Sequence, residues 1–401
     1  MTMHIGPSTH NHLATDTGAN SSNKSNTTKR PSPPPLINPN ENSPLIRILQ
    51  QLVRKPLAQA ELCPLVELSR PRINFYVKNL LDLGLITYSD IDLSHKKELL
   101  SERGLNHQGY KFLTITPDYC YFLRILHGPN EFTMELLSWG NTKVLAAREG
   151  TPTSSLSQTL GQVKSALQEM TQECEIPLAQ VKLILFATKG TVEQGFEGMM
   201  YRNNVISGSN IALAEELSWA TSIPCYVCNY AFGHLLAMLH DPFTAIDNAI
   251  LLSCGDGSVA LGVYLNGQIL FGPRNSFLEC SHLPFAHGFE ESLGHYGPHT
   301  EEALFFAITT LAPLFGMQRI IVAGPTFQDS DNAASAVRMV LQRLAKSDDV
   351  LLQRIIVDYR QKEITNARTE LAYFASDLIC VLLNPQPIKK NIASLFSPDD
   401  L

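Results

Sequence analysis

The 401-residue chain has no apolar run of the roughly 18–20 residues that a membrane span needs. The longest apolar stretch, LAYFASDLICVLL at 371–383, is shorter and carries Asp377. Its polar start, MTMHIGPSTHNH, lacks the apolar stretch of a secretory leader. Eight cysteines over this length make no disulfide framework. Charge is sparse, at 17% of residues, and the net of −7 has the wrong sign for a generic nucleic-acid binder. These absences predict a soluble, cytoplasmic, reduced protein with no membrane partner and with length for two or three domains.

The charge is segregated. Residues 1–43 carry Lys24, Lys29 and Arg30 against Asp16 and Glu41. Residues 44–112 carry ten Lys/Arg against seven Asp/Glu, and the remaining residues hold a net of −11. A mildly basic front therefore precedes an acidic body, an asymmetry typical of chains that meet a polyanion at one end.

Residues 1–43 are rich in Ser, Asn, Thr and Pro and end in PSPPPLINPNENSP. They offer too little apolar surface to offset their ordering entropy and read as a disordered tail. Order begins at Pro44. LIRILQQLVR (45–54) places Leu45, Ile48, Leu49, Leu52 and Val53 on one helical face. A second short helix is expected over 57–65. A third begins at Ser69, a residue type suited to the N-cap, with Pro71 in the first turn and Gly84 past the end. LITYSDID and YKFLTIT, separated by SHKKELLSERGLNHQG, read as a winged hairpin. From about Lys111 strands alternate with longer helices. Strands are expected at 111–116, 120–126, 181–187, 224–228, 249–254, 258–265, 319–323 and 353–357, with a hairpin at Asn266-Gly267 and an amphipathic helix at 155–170. This is an α/β body. CYVC (225–228) lies within a strand-like run and reads as buried strand cysteines; Trp139 and Trp219 read as packing residues.

Three short helices followed by a hairpin make a winged helix-turn-helix over 44–112. In that motif the second helix of the pair enters the major groove by its N-terminal residues. Here those are Ser69, Arg70, Arg72 and Asn74, with Lys78 one turn on. Arg reads guanine, Asn reads adenine, and Ser or Lys holds phosphate. Lys96, Lys97 and Arg103 would lie on the wing.

The segment Ile48–Ile86 followed by an acidic α/β body resembles the ROK family (repressors, open reading frames, kinases), and within it the sugar-responsive repressors. The resemblance spans roughly 45–383. GDGSVALGVYLNGQILFG (255–272) is similar to the family's glycine-rich strand and hairpin, with Gly255 and Gly257 at the turn. FLECSHL (277–283) is similar to its Glu-x-x-His signature, giving Glu279 and His282. CNYAFGHLLAML (228–239) is similar to the segment where family kinases have Asn-Asp before a small-residue helix, and RIIVAGP (319–325) to the late strand and glycine turn. The resemblance implies a two-lobed actin/hexokinase-like body over 113–384, its lobes about 113–230 with the C-terminal helix and 231–365, ahead of a tail at 385–401. It also implies a sugar or sugar-phosphate effector held by Asn229, Glu279, His282, Glu301, Gly255 and Gly257. Acids, amides and imidazole suit a ligand whose hydroxyls both donate and accept.

The sequence departs from the family pattern in three places. The kinase base after the Asn is replaced by Tyr230, a poor base at neutral pH. The phosphate-binding D-x-G-G-T loop is missing from ITPDYCYFLRI (115–125), which contains no glycine. ATKGTVEQG (187–195) replaces a proline- and glycine-rich turn. Kinase activity is therefore not expected, nor any catalytic residue or cofactor. The zinc site implied by the resemblance, His282 with cysteines, has Ser292, Gly294 and His299 in the cysteine positions. His282, His287, His295 and His299 remain as weak metal candidates beside an expectation of no metal.

The expected protein is a transcriptional regulator, a repressor by the resemblance, that binds operator DNA as a homodimer, with tetramers left open. The alternatives are a body that has lost its ligand and serves as a dimerisation or protein-docking module, and an active sugar kinase.

Overall fold

The computed structural model describes residues 43–89, 111–203, 205–240, 248–278, 280, 282–327, 330–359 and 363–383. Lys96, Lys97, Arg103 and Glu279 lie outside them, as do the tail expected at 1–43, except for Ser43, and the tail expected at 385–401.

The chain opens with α1 (Pro44–Arg54), β1 (Leu57–Ala58), α2 (Gln59–Val66), α3 (Arg70–Asp82), β2 (Ile86–Tyr88) and β3 (Phe112–Ile115). Every apolar position assigned to the inner face of α1 is buried, from Leu45 to Val53. Glu67 turns the chain between α2 and α3 in a left-handed conformation, φ 54 and ψ 44. Ser69 occupies the N-cap of α3 as expected, but its hydroxyl makes no capping bond, leaving Pro71 to set the first turn. β2 and β3 pair antiparallel with Ile86 opposite Ile115, and β1 pairs on the other side of β3. The loop between the two hairpin strands lies outside the described residues.

A first five-stranded sheet follows: β4 (Tyr121–Gly128), β5 (Glu131–Ser138), β6 (Val144–Glu149), then α4 (Leu156–Glu173), β7 (Val181–Thr188), the small pair β8 (Thr191–Val192) and β9 (Met200–Arg202), α5 (Leu213–Thr221) and β10 (Cys225–Asn229). Its order is β10-β7-β4-β5-β6, with β4, β7 and β10 parallel and β5 and β6 antiparallel. α6 (Ala231–Leu239) leads to the second sheet: β11 (Ala249–Gly255), β12 (Ser258–Leu265) and β13 (Gln268–Leu270). It continues through α7 (Phe289–Gly294), α8 (Thr300–Phe315), β14 (Arg319–Ala323), α9 (Ser330–Ala345), α10 (Val350–Gln353) and β15 (Ile356–Tyr359). Its order is β13-β12-β11-β14-β15. The Asn266-Gly267 hairpin forms where the sequence places it, with φ 52 and 79. α11 (Glu363–Leu383) closes the described chain.

In the first five-stranded sheet, β5 and β6 were not among the expected strands, and the short β1, β8 and β9 were not expected either. β5 carries Glu131 and Glu135, and the Ala-rich β6 lacks a clean alternation. The β4–β5 hairpin turn lies at Pro129-Asn130, after Gly128 and outside 115–125. The last strand starts at Ile356, because 350–353 is helical.

The core is continuous between the front unit and the body. Leu45, Leu49, Leu52, Leu113 and Ile115 pack in one cluster with Phe122, Trp139 and the inner face of α11. A second cluster lies between the second sheet and helices α7–α9, and a third between the first sheet and α4 and α5. Close approach of β11 and β14 requires Gly324: at φ 103 any Cβ would sit 2.3 Å from the carbonyl oxygen of Cys254.

His127 is buried within this framework on β4, between the Phe132 and Phe186 rings, with Nδ1 3.2 Å from Thr188 Oγ1 and Nε2 unpartnered. Burial lowers its pKa to about 4. The unfolded imidazole titrates near ~6.5, so the unfolded chain binds more protons and stability is lost as pH falls from about 6.5 towards 4. In His127→Phe the loss of unfolding free energy between pH 7 and pH 4.5, read from urea titrations, should shrink by roughly 2 kcal/mol. An unchanged pH dependence would show that the imidazole is not held neutral.

Candidate functional site

Helix α3 is two-faced. Ile73, Val77 and Leu80 are buried, whereas Ser69, Arg70, Arg72, Asn74 and Lys78 are all exposed. Arg70, Arg72 and Lys78 make no ion pair among the described residues. All five residues expected on this helix are thus open to solvent, four of them at its N-terminus and Lys78 a turn further on. Three cations and an amide presented this way can meet phosphate oxygens and base edges.

A cleft lies between the two sheets, where β7 and β4 of the first end opposite the Gly255-Asp256-Gly257 turn of the second. It contains two adjoining cavities that share Lys189, Tyr230, His234 and Pro325 in their walls. One, of about 50 Å³, is also bordered by Arg202, Asn229, Ser253 and Glu290. That is room for a water molecule or two. The other, of about 400 Å³, is bordered by Asn130, Glu131, Glu149, Asp256 and Arg368 and is large enough for a small ligand.

The charges in the cleft are arranged as internal pairs. The Lys189 ammonium contacts the Asp256 carboxylate across the cleft, and Asn130 Nδ2 donates to the same carboxylate at 3.2 Å. Burial disfavours the Asp256 charge, but Lys189 and Asn130 outweigh it and hold the carboxyl below its usual value. Arg368 of α11 pairs with Glu131 at 2.5 Å and with Glu135 at 3.6 Å, while buried Arg124 bonds Glu135 and the Arg368 carbonyl. Burial, reinforced by Glu131, pushes the Tyr230 phenol up to about 12, so it keeps its proton at neutral pH. His234 is buried on the first turn of α6 with Nδ1 2.7 Å from Ser253 Oγ and Nε2 unpartnered. Burial, with Lys189 adding to it, lowers its pKa to about 4, so it is a neutral hydrogen-bonding wall.

The expected effector residues are not assembled as a set. Gly255 and Asn229 border the smaller cavity, but both ends of the Asn229 amide are engaged: Nδ2 donates to the Gly190 carbonyl and Oδ1 accepts from the Ala231 amide, each at 2.8 Å. Its role is to hold the start of α6. Gly257 packs against the backbone of Gly294 and borders neither cavity. His282 is exposed at the rim and accepts from Arg202 at 3.2 Å. Glu301 sits in the first turn of α8 and lines neither cavity. The residues that form the cleft, Lys189, His234, Asp256 and Arg368, were not singled out in the sequence. Asp256 alone carried a visible signal, a charge between two turn glycines.

The zinc ligands implied by the fold do not fit. His282 Nε2 is engaged by Arg202, Gly294 offers no donor, and the Ser292 hydroxyl donates to the His287 carbonyl at 3.4 Å. His295 lies over Gly257, away from the other histidines of that set. His287 and His299 stack, with ring centroids 3.7 Å apart.

No family model matches the sequence, and no curated protein matches it significantly. Solved structures do. One is a ROK family transcriptional regulator described as a homolog of the E. coli MLC protein, at 17% identity over 86% of this chain and 100% of that one, with a TM-score of 0.62. Another is a ROK family glucokinase from Streptomyces griseus in complex with glucose and AMPPNP, at 12% identity over 64% of this chain and 99% of that one, with a TM-score of 0.50. The 86% share is more than residues 113–401 supply, so the likeness to the regulator runs into the front unit. At these identities the likeness is one of architecture, and the body of this chain has the actin/hexokinase-like fold of the ROK proteins.

Proposed function

We propose that the protein is a DNA-binding transcriptional regulator. Residues 44–112 act as a winged helix-turn-helix, and the ROK-fold body controls them without phosphoryl transfer. The observation that carries this reading is the exposed face of α3, where Arg70, Arg72, Asn74 and Lys78 stand free above a buried apolar stripe. The likeness to a ROK regulator over a share of the chain too large for the body alone supports it. Arg70 and Arg72 serve as base readers, Asn74 as an adenine reader, and Ser69 and Lys78 as phosphate contacts. Lys96, Lys97 and Arg103 are assigned to the wing.

Phosphoryl transfer is disfavoured by chemistry. The position of the base is occupied by a phenol that holds its proton to about pH 12. The glycine turn that faces the cleft carries Asp256, already paired with Lys189. The 400 Å³ cavity suits a hydroxyl-rich ligand such as a sugar, with His234, Asn130 and Arg368 in its wall. Such a ligand would act on DNA binding through α11. Arg368 of that helix lies at the cavity, and two further residues of it, Glu370 and Asp377, receive Arg54 of α1 at 3.4 and 3.3 Å. The reading includes a homodimer, since two heads match a two-fold operator, and repression as the direction of control.

A second reading, in which the body is a docking or dimerisation module without a ligand, draws support from the engaged Asn229 amide and the 50 Å³ of the smaller cavity.

The experiment is selection of genomic fragments on the purified full-length protein, followed by affinity measurements on the enriched sequence. Arg70→Ala and Arg72→Ala should each weaken specific binding by about 10- to 100-fold, and Lys78→Ala should weaken all sequences alike with a shallower salt dependence. Undiminished specific binding in both arginine variants would overturn the recognition helix. Calorimetry against sugars and their phosphates, with a coupled ATP-turnover assay alongside, separates the roles of the body. Saturable heat with one of these compounds and no turnover is the expected result, no heat from any of them would favour the docking reading, and turnover would restore the kinase.

A further inference from the structure

Outside the cleft the second sheet carries a cluster that none of the roles above uses. His287 lies in the loop before α7, His299 caps α8, and Glu302 follows three residues later on the first turn of that helix. Residues three apart on a helix share a face, so Glu302 lies beside His299. The imidazole rings of His287 and His299 are stacked, 3.7 Å between centroids and 11° from parallel. One ligand atom from each of the three residues lies within 4.8 Å of the others. The backbone between the histidines is held in place: Thr300 Oγ1 donates to the Ser292 carbonyl at 2.8 Å and receives the Gly297 amide at 2.9 Å, and the Ser292 amide donates to Gly288 at 3.1 Å.

We propose that His287, His299 and Glu302 form a binding site for a divalent transition metal ion, of which zinc is the representative. Two neutral imidazoles and one carboxylate are an N₂O donor set that suits zinc and its first-row neighbours and does not suit magnesium or calcium, which take oxygen cages. Ligand atoms around one zinc ion stand about 3.3 Å apart, given bonds of roughly 2.0–2.1 Å. Coordination of one ion requires an imidazole to turn out of the stack so that the two lone pairs converge, and the exposed His287 and Glu302 beside the half-buried His299 have room for that rotation. Three protein ligands leave at least one coordination position to water. The ion would staple the loop before α7 to the start of α8. That loop also carries His282, which meets Arg202 of β9, so the staple would fix one rim of the cleft. Of the four positions that the fold would assign to zinc, only His299 belongs to this cluster.

The test uses the full-length chain without a histidine tag, stripped with chelator and dialysed, then titrated with zinc chloride in a calorimeter and assayed for retained metal by elemental analysis. One equivalent should bind and raise the melting temperature, and magnesium chloride should give no heat. The His287→Ala/His299→Ala double variant should lose the equivalent, and Glu302→Gln should bind at least tenfold more weakly. His282→Ala and His295→Ala should keep it. All substituted side chains except that of His299 are exposed, and a circular dichroism spectrum checks that each variant is folded. No saturable zinc binding, retention by the folded double variant, or loss in His282→Ala instead would each overturn the site.

Discussion

The packing of the last helix against the first holds the molecule together. α11 returns from the second sheet and lays Ala367, Leu371, Ala372, Ala375, Leu378 and Ile379, all fully buried, against α1, α6 and the first sheet. The small residues in this stripe let backbones approach. Gly233 of α6 meets the Ala367 carbonyl so closely that a Cβ there would lie 2.9 Å from it. Trp139 donates from Nε1 to the Ser376 carbonyl at 3.1 Å, which ties the end of β5 to the same helix. Removing this helix would expose the inner faces of α1 and α6 together, so the front unit is not an independent bead on a linker.

The same helix carries the cleft's charges. Arg368 completes a buried network in which Arg124 and Glu135 lie opposite each other on β4 and β5. A buried pair stands only when each charge is satisfied, and here each guanidinium has a carboxylate and Arg124 has a carbonyl besides. The network fixes Glu131 and hence the β4–β5 turn at the large cavity. Lys189 and Asp256 do the equivalent across the cleft. Together they leave Glu149 as the one charged group in the wall of the large cavity without an ion pair among the described residues. A ligand for this cavity is therefore recognised mainly through hydrogen bonds, since an anion would have to displace Asp256 from Lys189 at a cost that an uncharged ligand avoids.

Much of this fold was legible in the sequence, for identifiable reasons. The front helices follow a clean helical period, with caps and breakers at the ends, and the parallel strands of the body are continuous apolar runs bounded by turns. β5 was not legible because Glu135 breaks its apolar face, and its acceptability depends on Arg124 and Arg368, the latter 233 residues away in the chain. The same holds for the site. Asn229 was legible as a polar residue at a strand end, but nothing local reveals that Gly190 and Ala231 take both ends of its amide. Lys189 and Asp256 each read as ordinary turn residues, and only tertiary structure pairs them. Arg70 and Arg72 were legible because an exposed helix face is encoded by local spacing alone.

The joint between the front unit and the body is where a signal has to cross, and its composition decides how. Arg54 reaches Glu370 and Asp377 while its guanidinium lies 5.2 Å from the Tyr373 ring, and His240 at the end of α6 bonds Glu370 at 2.5 Å. Burial pushes Asp377 up to about 7, with Arg54 opposing the rise, and its Oδ1 has no partner. Near neutral pH this carboxyl is divided between its charged and neutral forms, and protonation would weaken its pairing with Arg54. Under the proposed control, a ligand would shift the joint only by its differential affinity for two states of it. The apolar packing of α1 on α11 supplies the cohesion, and under the proposed control this polar cluster would be the link between Arg368 at the cleft and Arg54 at the front unit.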